Sequence, residues 1–484
     1  MPKKNTPAKK TPDKKTAKKS TGSKKSVAKS KPAKKITAPK KAIKPAEVKP
    51  PKGKKTPSLL RGFKDITPKD EYFWHQMRHI AEDISLAYDY HWIETPILEE
   101  ASLFVRSVGR GTDVVEKEMY VFEDRDGSKV ALRPEATASV ARAYINHGMQ
   151  TVPQPVKVWY WGPMFRHDRP QAGRFRQFHQ FSCENLGVHD PVVDAELISV
   201  AYNFLRDLGI ETTVNINSIG TPEDRERYVI ELVGYLRSKR SYLCEDCRRR
   251  INKNPLRCLD CKREQCQPVI EDAPQIVDWL SEDSKKFFMD VLEYLDELEI
   301  PYVLVPTLVR GLDYYTDTVF EIYEDTEEEN RSQSALCGGG RYNGLVEELG
   351  GQPTPGAGFS VGLERVVSVL RRSLAESSDA LTLGSTPIYF AQLGEQARKR
   401  SLYLIEQLRR SGLFVRHNVG KTALKAQMEL ADRFGATHTL ILGQKEVQDE
   451  TIIIRDMESG IQEIVDQKKI NQEVKKLIDK YGKK

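Results

Sequence analysis

Apolar residues first recur at helical spacing at Phe73, Met77, Ile80, Ile84 and Ala87, one face of a helix. Thr67 is its predicted N-cap and Pro68 suits its first turn. Trp92 to Leu98 reads as a strand containing Pro96. Proline cannot donate to a ladder, so an edge or interface strand is predicted. Glu118 to Glu123 and Lys129 to Leu132 alternate as two strands around an Asp126-Gly127 turn. Arg133-Pro134-Glu135 ends the second, and Thr137 to His147 reads as a helix. An aromatic-rich strand, Val156 to Trp161, then leads into a hairpin with a long Pro/Gly loop, Phe165 to Phe181. The two-residue period puts Gln180, Ser182 and Glu184 on one strand face.

From Gly220 to Pro301 the pattern is mostly helical: Pro222 to Arg237, Asp246 to Lys253, Ala273 to Ser281 and Asp283 to Leu298. Beyond a Ser/Gly-rich joint the period alternates. Strands are predicted at Ile388 to Gln392, Leu413 to His417, Thr437 to Leu442 and Thr451 to Asp456. Helices are predicted at Gly394 to Ser411 and Thr422 to Phe434. Alternating β and α units imply a small α/β domain with a mainly parallel sheet.

Charge divides the 484-residue chain differently. Residues 1–57 hold 21 Lys and only Asp13 and Glu47 as acids, a net +19, while residues 58–484 carry −12. The first segment, rich in Lys, Ala and Pro, has too few apolar residues to offset its ordering entropy, and a disordered tail is expected. It has neither the apolar centre of a signal peptide nor the Arg-rich face of a mitochondrial presequence. It reads either as a solubilising tail or as a polycation that concentrates nucleic acid. No apolar run approaches the ~18 residues of a membrane span.

Seven cysteines, an odd number, point to a reducing cytosol. Cys244, Cys247, Cys258 and Cys261 approach zinc-ribbon spacing and leave Cys266 over. Arg166, Arg169, Arg174 and Arg176 crowd the hairpin among Phe and Gln. Guanidinium forks match phosphate oxygens, so a polyphosphate is the natural partner. No Gly-x4-Gly-Lys-Ser/Thr loop is present, so ATP would be held without a P-loop.

On these residues the chain resembles the class II aminoacyl-tRNA synthetases, and within them the bacterial-type histidyl-tRNA synthetase family. The strand around Pro96 is similar to motif 1, Phe165 to Phe181 to motif 2, and Gly356 to Arg365 to motif 3. Leu308-Val309-Arg310-Gly311-Leu312-Asp313-Tyr314-Tyr315 and Ala335-Leu336-Cys337-Gly338-Gly339-Gly340-Arg341-Tyr342 are similar to the histidine-specific signatures. The resemblance covers about 58–484. It implies an α+β catalytic core with a mainly antiparallel sheet at 58–219 and 301–372, a helical insertion domain at 220–300, a linker at 373–386 and an α/β anticodon-binding domain at 387–484.

The implied activity is attachment of L-histidine to its tRNA, through a histidyl-adenylate made from ATP with Mg2+. By resemblance Arg166 and Arg310 are catalytic and meet the α-phosphate and carboxylate from opposite sides. Arg174 lies toward the β/γ-phosphates, and Phe178 and Arg365 sandwich adenine. Asp168 stands where the family more often has Glu. Glu184 and Tyr315, beside Tyr314, are the imidazole partners; Glu135, Thr137 and Gln180 are acceptors for the α-ammonium. His167 and His179 are expected as hydrogen-bonding scaffold, and Cys183 and Cys337 as packing. Family members often carry some of the insertion's cysteines without a known need for metal, so structural zinc is not the favoured reading. Arg416, His417, Asn418 and Lys421 mark the RNA face of the last domain. Motif 1 implies a homodimer, and the setting is cytoplasmic. The competing readings are a non-catalytic paralogue, such as the regulatory subunit of ATP phosphoribosyltransferase, and an RNA-binding scaffold suggested by the tail.

Overall fold

The computed structural model describes residues 57–109, 112, 114–169, 173–325, 335–376 and 388–481. Apart from Pro57, the tail expected over 1–57 lies outside them, as does most of the joint expected over 373–386. The strands before the joint are β1 (His91–Trp92), β2 (Leu98–Glu100), β3 (Val121–Glu123), β4 (Lys129–Leu132), β5 (Val156–Phe165), β6 (Gln177–Leu186), β7 (Thr212–Ser218), β8 (Tyr302–Leu304), β9 (Thr316–Glu324), β10 (Cys337–Arg341) and β11 (Gly356–Gly362). Eight of them form one sheet in the order β1-β5-β6-β11-β10-β9-β7-β8. Its inner pairs are antiparallel and only the two edge pairs, β1-β5 and β7-β8, are parallel. A smaller sheet, β2-β4-β3, lies beside it.

Helices Glu71–Ala87, Pro191–Asp207, Glu282–Glu297 and Leu363–Glu376 contribute Met77, Phe204, Leu295 and Val366 to one core cluster, with Phe181 and Phe359 from the sheet. The second cluster joins helix Thr137–Asn146 and the apolar residues of the insertion to Tyr160, Tyr315 and Tyr342. The site residues belong to this second layer.

Several elements differ from the sequence pattern. The first helix starts at Glu71 behind Asp70, not at Thr67; Phe73, Met77 and Ile84 are buried as predicted, but Ala87 is exposed and Ala81 takes its place. The strand expected across Pro96 is split into β1 and β2, which join different sheets, because the proline interrupts the ladder between them. Between Ala273 and Ser281 only a 3-10 turn, Ile276–Trp279, forms.

Helix Glu282–Glu297, the last helix of the insertion expected over 220–300, packs into the main core through Phe288, Val291, Leu292 and Leu295. Asp224 clasps the insertion's neck. One oxygen accepts from the Ser281 amide at 3.0 Å; the other accepts from the Thr221 amide at 3.3 Å and the Ser284 hydroxyl at 2.6 Å. A carboxylate at the third position of helix Pro222–Ser238 completes a capping box with Thr221.

The C-terminal unit contains β12 (Ile388–Gln392), β13 (Arg416–His417), β14 (His438–Leu442), β15 (Thr451–Asp456) and β16 (Gln462–Asp466), in the order β13-β12-β14-β15-β16. Only the pairs of β12 with β13 and β14 are parallel; β15 and β16 pair antiparallel, so the sheet is mixed and not mainly parallel. Among the described residues no helix is long and apolar enough to cross a membrane.

Candidate active site

The β5-β6 hairpin aligns Phe165 with Gln177 and carries the ladder to Val156 and Leu186. β11 pairs with β6 so that Gly362, Ser360 and Gly358 face Gln180, Ser182 and Glu184. The predicted face therefore exists, and glycines stand opposite its two longer side chains. A Cβ on Gly358 would collide with the Glu184 carboxylate. Glycine is required there by close approach, since the space is already filled.

Glu184 is buried and accepts from the Thr137 hydroxyl at 2.7 Å and the Tyr342 hydroxyl at 2.6 Å. Burial raises its pKa to about 8, against the pull of those two donors. Glu135, also buried, caps helix Thr137–Asn146 by accepting from the Thr137 amide at 2.7 Å and the Ala138 amide at 3.0 Å. Its pKa is raised by burial, with these amides and Arg166 opposing. Tyr314 and Tyr315 are buried, with ring centroids 4.7 Å apart, and Tyr314 meets Tyr342 edge-on at 5.8 Å.

Beside this buried group lies a cavity of about 460 Å³. Arg166, Asp168, Arg174, Phe178, Gln180, Arg310 and Arg365 all line it. Arg166 donates from Nε to the Pro134 carbonyl at 2.8 Å and lies 5.5 Å from the Phe178 ring centre. Arg310 lines the same cavity from the chain that follows β8. Its guanidinium crosses Gly338, pairs with Glu321 and sits 5.5 Å from the Tyr315 ring centre. Gly338 stands directly across from Glu321 in the ladder, which leaves the slot that the arginine fills. Arg365 donates to the Ala335 carbonyl. Burial and repulsion from Arg174 and Arg166 lower its pKa. Cations that repel one another in a half-closed cavity favour a polyanionic ligand.

Arg174 pairs with Asp168 at 3.3 Å. Gln180 Oε1 is buried with no hydrogen-bond partner. The cavity thus gathers the residues expected for ATP together with Gln180 and Arg310. Glu135, Thr137, Glu184, Tyr314 and Tyr315 do not line it and form a buried shelf beside it, whose Tyr314 lines a second cavity of about 440 Å³. His179 behaves as scaffold, its ring and amide both on Glu364, and Cys183 and Cys337 are buried in the core.

The family profile for histidyl-tRNA synthetase matches residues 62–220 and 264–366, and that for an anticodon binding domain matches 388–477. The chain belongs to the histidyl-tRNA synthetase family. The histidine–tRNA ligase of Halothermothrix orenii is 45% identical over 419 residues, 86% of this chain and 99% of that protein. The corresponding ligase of Dehalococcoides mccartyi is 44% identical over 419 residues, again 86% of this chain and 99% of its own. The apo Staphylococcus aureus histidyl-tRNA synthetase superposes with a TM-score of 0.71 at 34% identity, covering 87% of this chain and all of that one.

Three residues in or beside the cavity have no role assigned from the sequence pattern. Tyr342 stands within a signature that gives it no role, and it holds Glu184. Glu321 pairs with Arg310 across a loop, and only its position opposite Gly338 could have signalled it. Arg257 reaches the cavity from the insertion. The insertion's cysteines also differ from expectation. The sulfurs that cluster belong to Cys244, Cys247, Cys261 and Cys266. Cys258 is not one of these four: its thiol donates to the Cys247 carbonyl at 3.5 Å and touches the Cys247 side chain, while a 3-10 turn at Glu264–Cys266 brings the later cysteine round.

Proposed function

We propose that this chain, a histidine–tRNA ligase by family, activates histidine with the magnesium complex of ATP between two opposed arginines. The histidine carboxylate attacks the α-phosphorus, and pyrophosphate leaves. Two anions meet in that step, so the barrier is largely electrostatic. Arg166 on the β5 side and Arg310 on the other counter the charge as it builds at the α-phosphate. Arg174 takes the β/γ-phosphates. Phe178 and Arg365 enclose adenine, and Asp168 exchanges its contact with Arg174 for one to the base.

The imidazole lies toward Glu184 and Tyr315, beside Tyr314, and the α-ammonium is received by Glu135, Thr137 and Gln180. A pocket that satisfies each polar group rejects analogues lacking one, because a buried partner would go unpaired. The terminal ribose hydroxyl of the tRNA then attacks the adenylate carbonyl, and AMP leaves. No side chain is assigned as base for this step.

The observation that carries the reading is the single cavity shared by Arg166, Arg174, Arg310, Arg365 and Phe178 beside the buried Glu184 shelf. The insertion is proposed to clasp the acceptor arm. Arg416, His417, Asn418 and Lys421, next to the exposed Phe414, are proposed to meet the anticodon. A homodimer is supported by the exposed apolar residues Trp92, Ile97, Leu98, Val121 and Phe122 around the motif 1 strands. A cytoplasmic setting is supported by seven free thiols.

Histidine-dependent exchange of pyrophosphate into ATP tests the activity, and its absence in a folded sample overturns the reading. Light scattering tests the dimer, which a stable, active particle of 55.1 kDa would refute.

A further inference from the structure

The cysteine cluster lies outside the active site and has a geometry of its own. The four sulfurs of Cys244, Cys247, Cys261 and Cys266 all lie within 4.8 Å of one another, with Cys244 and Cys261 3.8 Å apart. A disulfide holds its sulfurs at about 2 Å, and all four are free thiols. A tetrahedron of Zn–S bonds of about 2.3 Å sets its corners about 3.8 Å apart.

The backbone is arranged as a metal knuckle requires. Cys244 stands at the N-cap of helix Glu245–Arg250, and its sulfur accepts from the Cys247 amide at 3.5 Å. The Cys244 amide in turn donates to the Cys266 sulfur at 3.3 Å. N–H groups aimed at sulfur favour the thiolate, the form that binds metal. Cys247, Cys261 and Cys266 are buried, and Cys244 is half-buried. A four-thiolate zinc centre carries a charge of −2. Residues 244–266 include Arg248, Arg249, Arg250, Lys253, Arg257, Lys262 and Arg263 against four acids, a net +3 that offsets it.

We propose that Cys244, Cys247, Cys261 and Cys266 hold one structural zinc ion, with Cys258 excluded. The proposal does not rest on the assignment of the ATP site. Such an ion would fasten the two ends of the segment that carries Arg257 to the cavity. Arg257 pairs with Asp260 at 2.8 Å, and its guanidinium passes 3.5 Å from where a Cβ on Gly311 would stand.

The test is metal content of the full-length protein, made in zinc-supplemented medium and gel-filtered. Elemental analysis is expected to give one zinc per chain. Cys266→Ser is expected to lose most of it, while Cys258→Ser retains it. Loss from Cys258→Ser with retention in Cys266→Ser would overturn the assignment, and so would a metal-free wild type or disulfides found among these four residues. Should Cys266→Ser not fold, cobalt-substituted wild type and Cys258→Ser decide the matter. Both are expected to show identical visible bands of a tetrahedral four-thiolate site, and a changed spectrum in Cys258→Ser refutes the exclusion of that residue.

Discussion

Replacing Arg310 by alanine tests the opposed-arginine reading most directly. Losing one donor that stabilises developing charge lowers the rate by ~10²–10³. The structure adds a second cost, because Glu321 holds Arg310 and would remain as an uncompensated carboxylate on the cavity wall. At an effective dielectric of ~20 and a separation of ~10 Å, its repulsion of the phosphate is roughly 1.5 kcal/mol, or about tenfold. Arg310→Ala is therefore expected to slow single-turnover adenylate formation by about 10³–10⁴. Adding Glu321→Gln should recover about tenfold, because the repulsion disappears while the lost donor does not return. Rapid quench with labelled ATP measures both, and circular dichroism checks the fold. Unchanged adenylation in Arg310→Ala, or no recovery in the double variant, would refute the argument.

Glu184, with a folded pKa of about 8 raised above its ordinary value by burial, binds a proton that the unfolded chain releases near pH 4.5. Its contribution to stability is complete below pH 4.5 and is lost as pH rises through 8, so the unfolding free energy of wild type relative to Glu184→Gln, from urea titrations, should fall by up to about 1.4 kcal/mol per pH unit between pH 6 and 8. Arg341 is fully buried and donates to Asp194 at 2.9 Å and to the Val188 and Asp190 carbonyls. Arg341→Met leaves Asp194 buried without its partner and should cost ~3–5 kcal/mol by urea denaturation. Deleting residues 1–57 removes a net +19. It should flatten the salt dependence of tRNA affinity by about 0.7–0.9 in log–log slope for each phosphate no longer neutralised, with histidine activation intact; parallel slopes would make the tail a solubiliser only.

The parts of the site that alternate along one strand were legible. Gln180, Ser182 and Glu184 follow a two-residue period that any buried hairpin must obey, and the ladder keeps it. The shelf around Glu184 was less so, because Thr137 and Tyr342 reach it from 47 and 158 residues away. Glu321 stayed hidden for a different reason: it is only 11 residues from Arg310, but an ion pair across a loop leaves no periodic trace. Spacing points to Cys258, whereas the four sulfurs that lie together are those of Cys244, Cys247, Cys261 and Cys266, because the chain closes through a turn. Pro96 correctly forbade a central strand, yet its stronger effect was to divide one strand between two sheets. The C-terminal sheet is mixed because β15, itself legible as a strand, turns back antiparallel on β14, a direction its residues did not announce, and β16 extends that antiparallel edge.

The clasp at Asp224 has a consequence for how the chain can change. It ties Thr221 to Ser281 and Ser284, and the strands on either side, β7 and β8, already run side by side. The excursion between them therefore leaves and re-enters the core at one doorway. Lengthening, shortening or exchanging what hangs there adds little closure entropy, which grows only with the logarithm of loop length. Changes of length can be taken up at that one doorway without parting β7 from β8, and the family profile passes over residues 221–263.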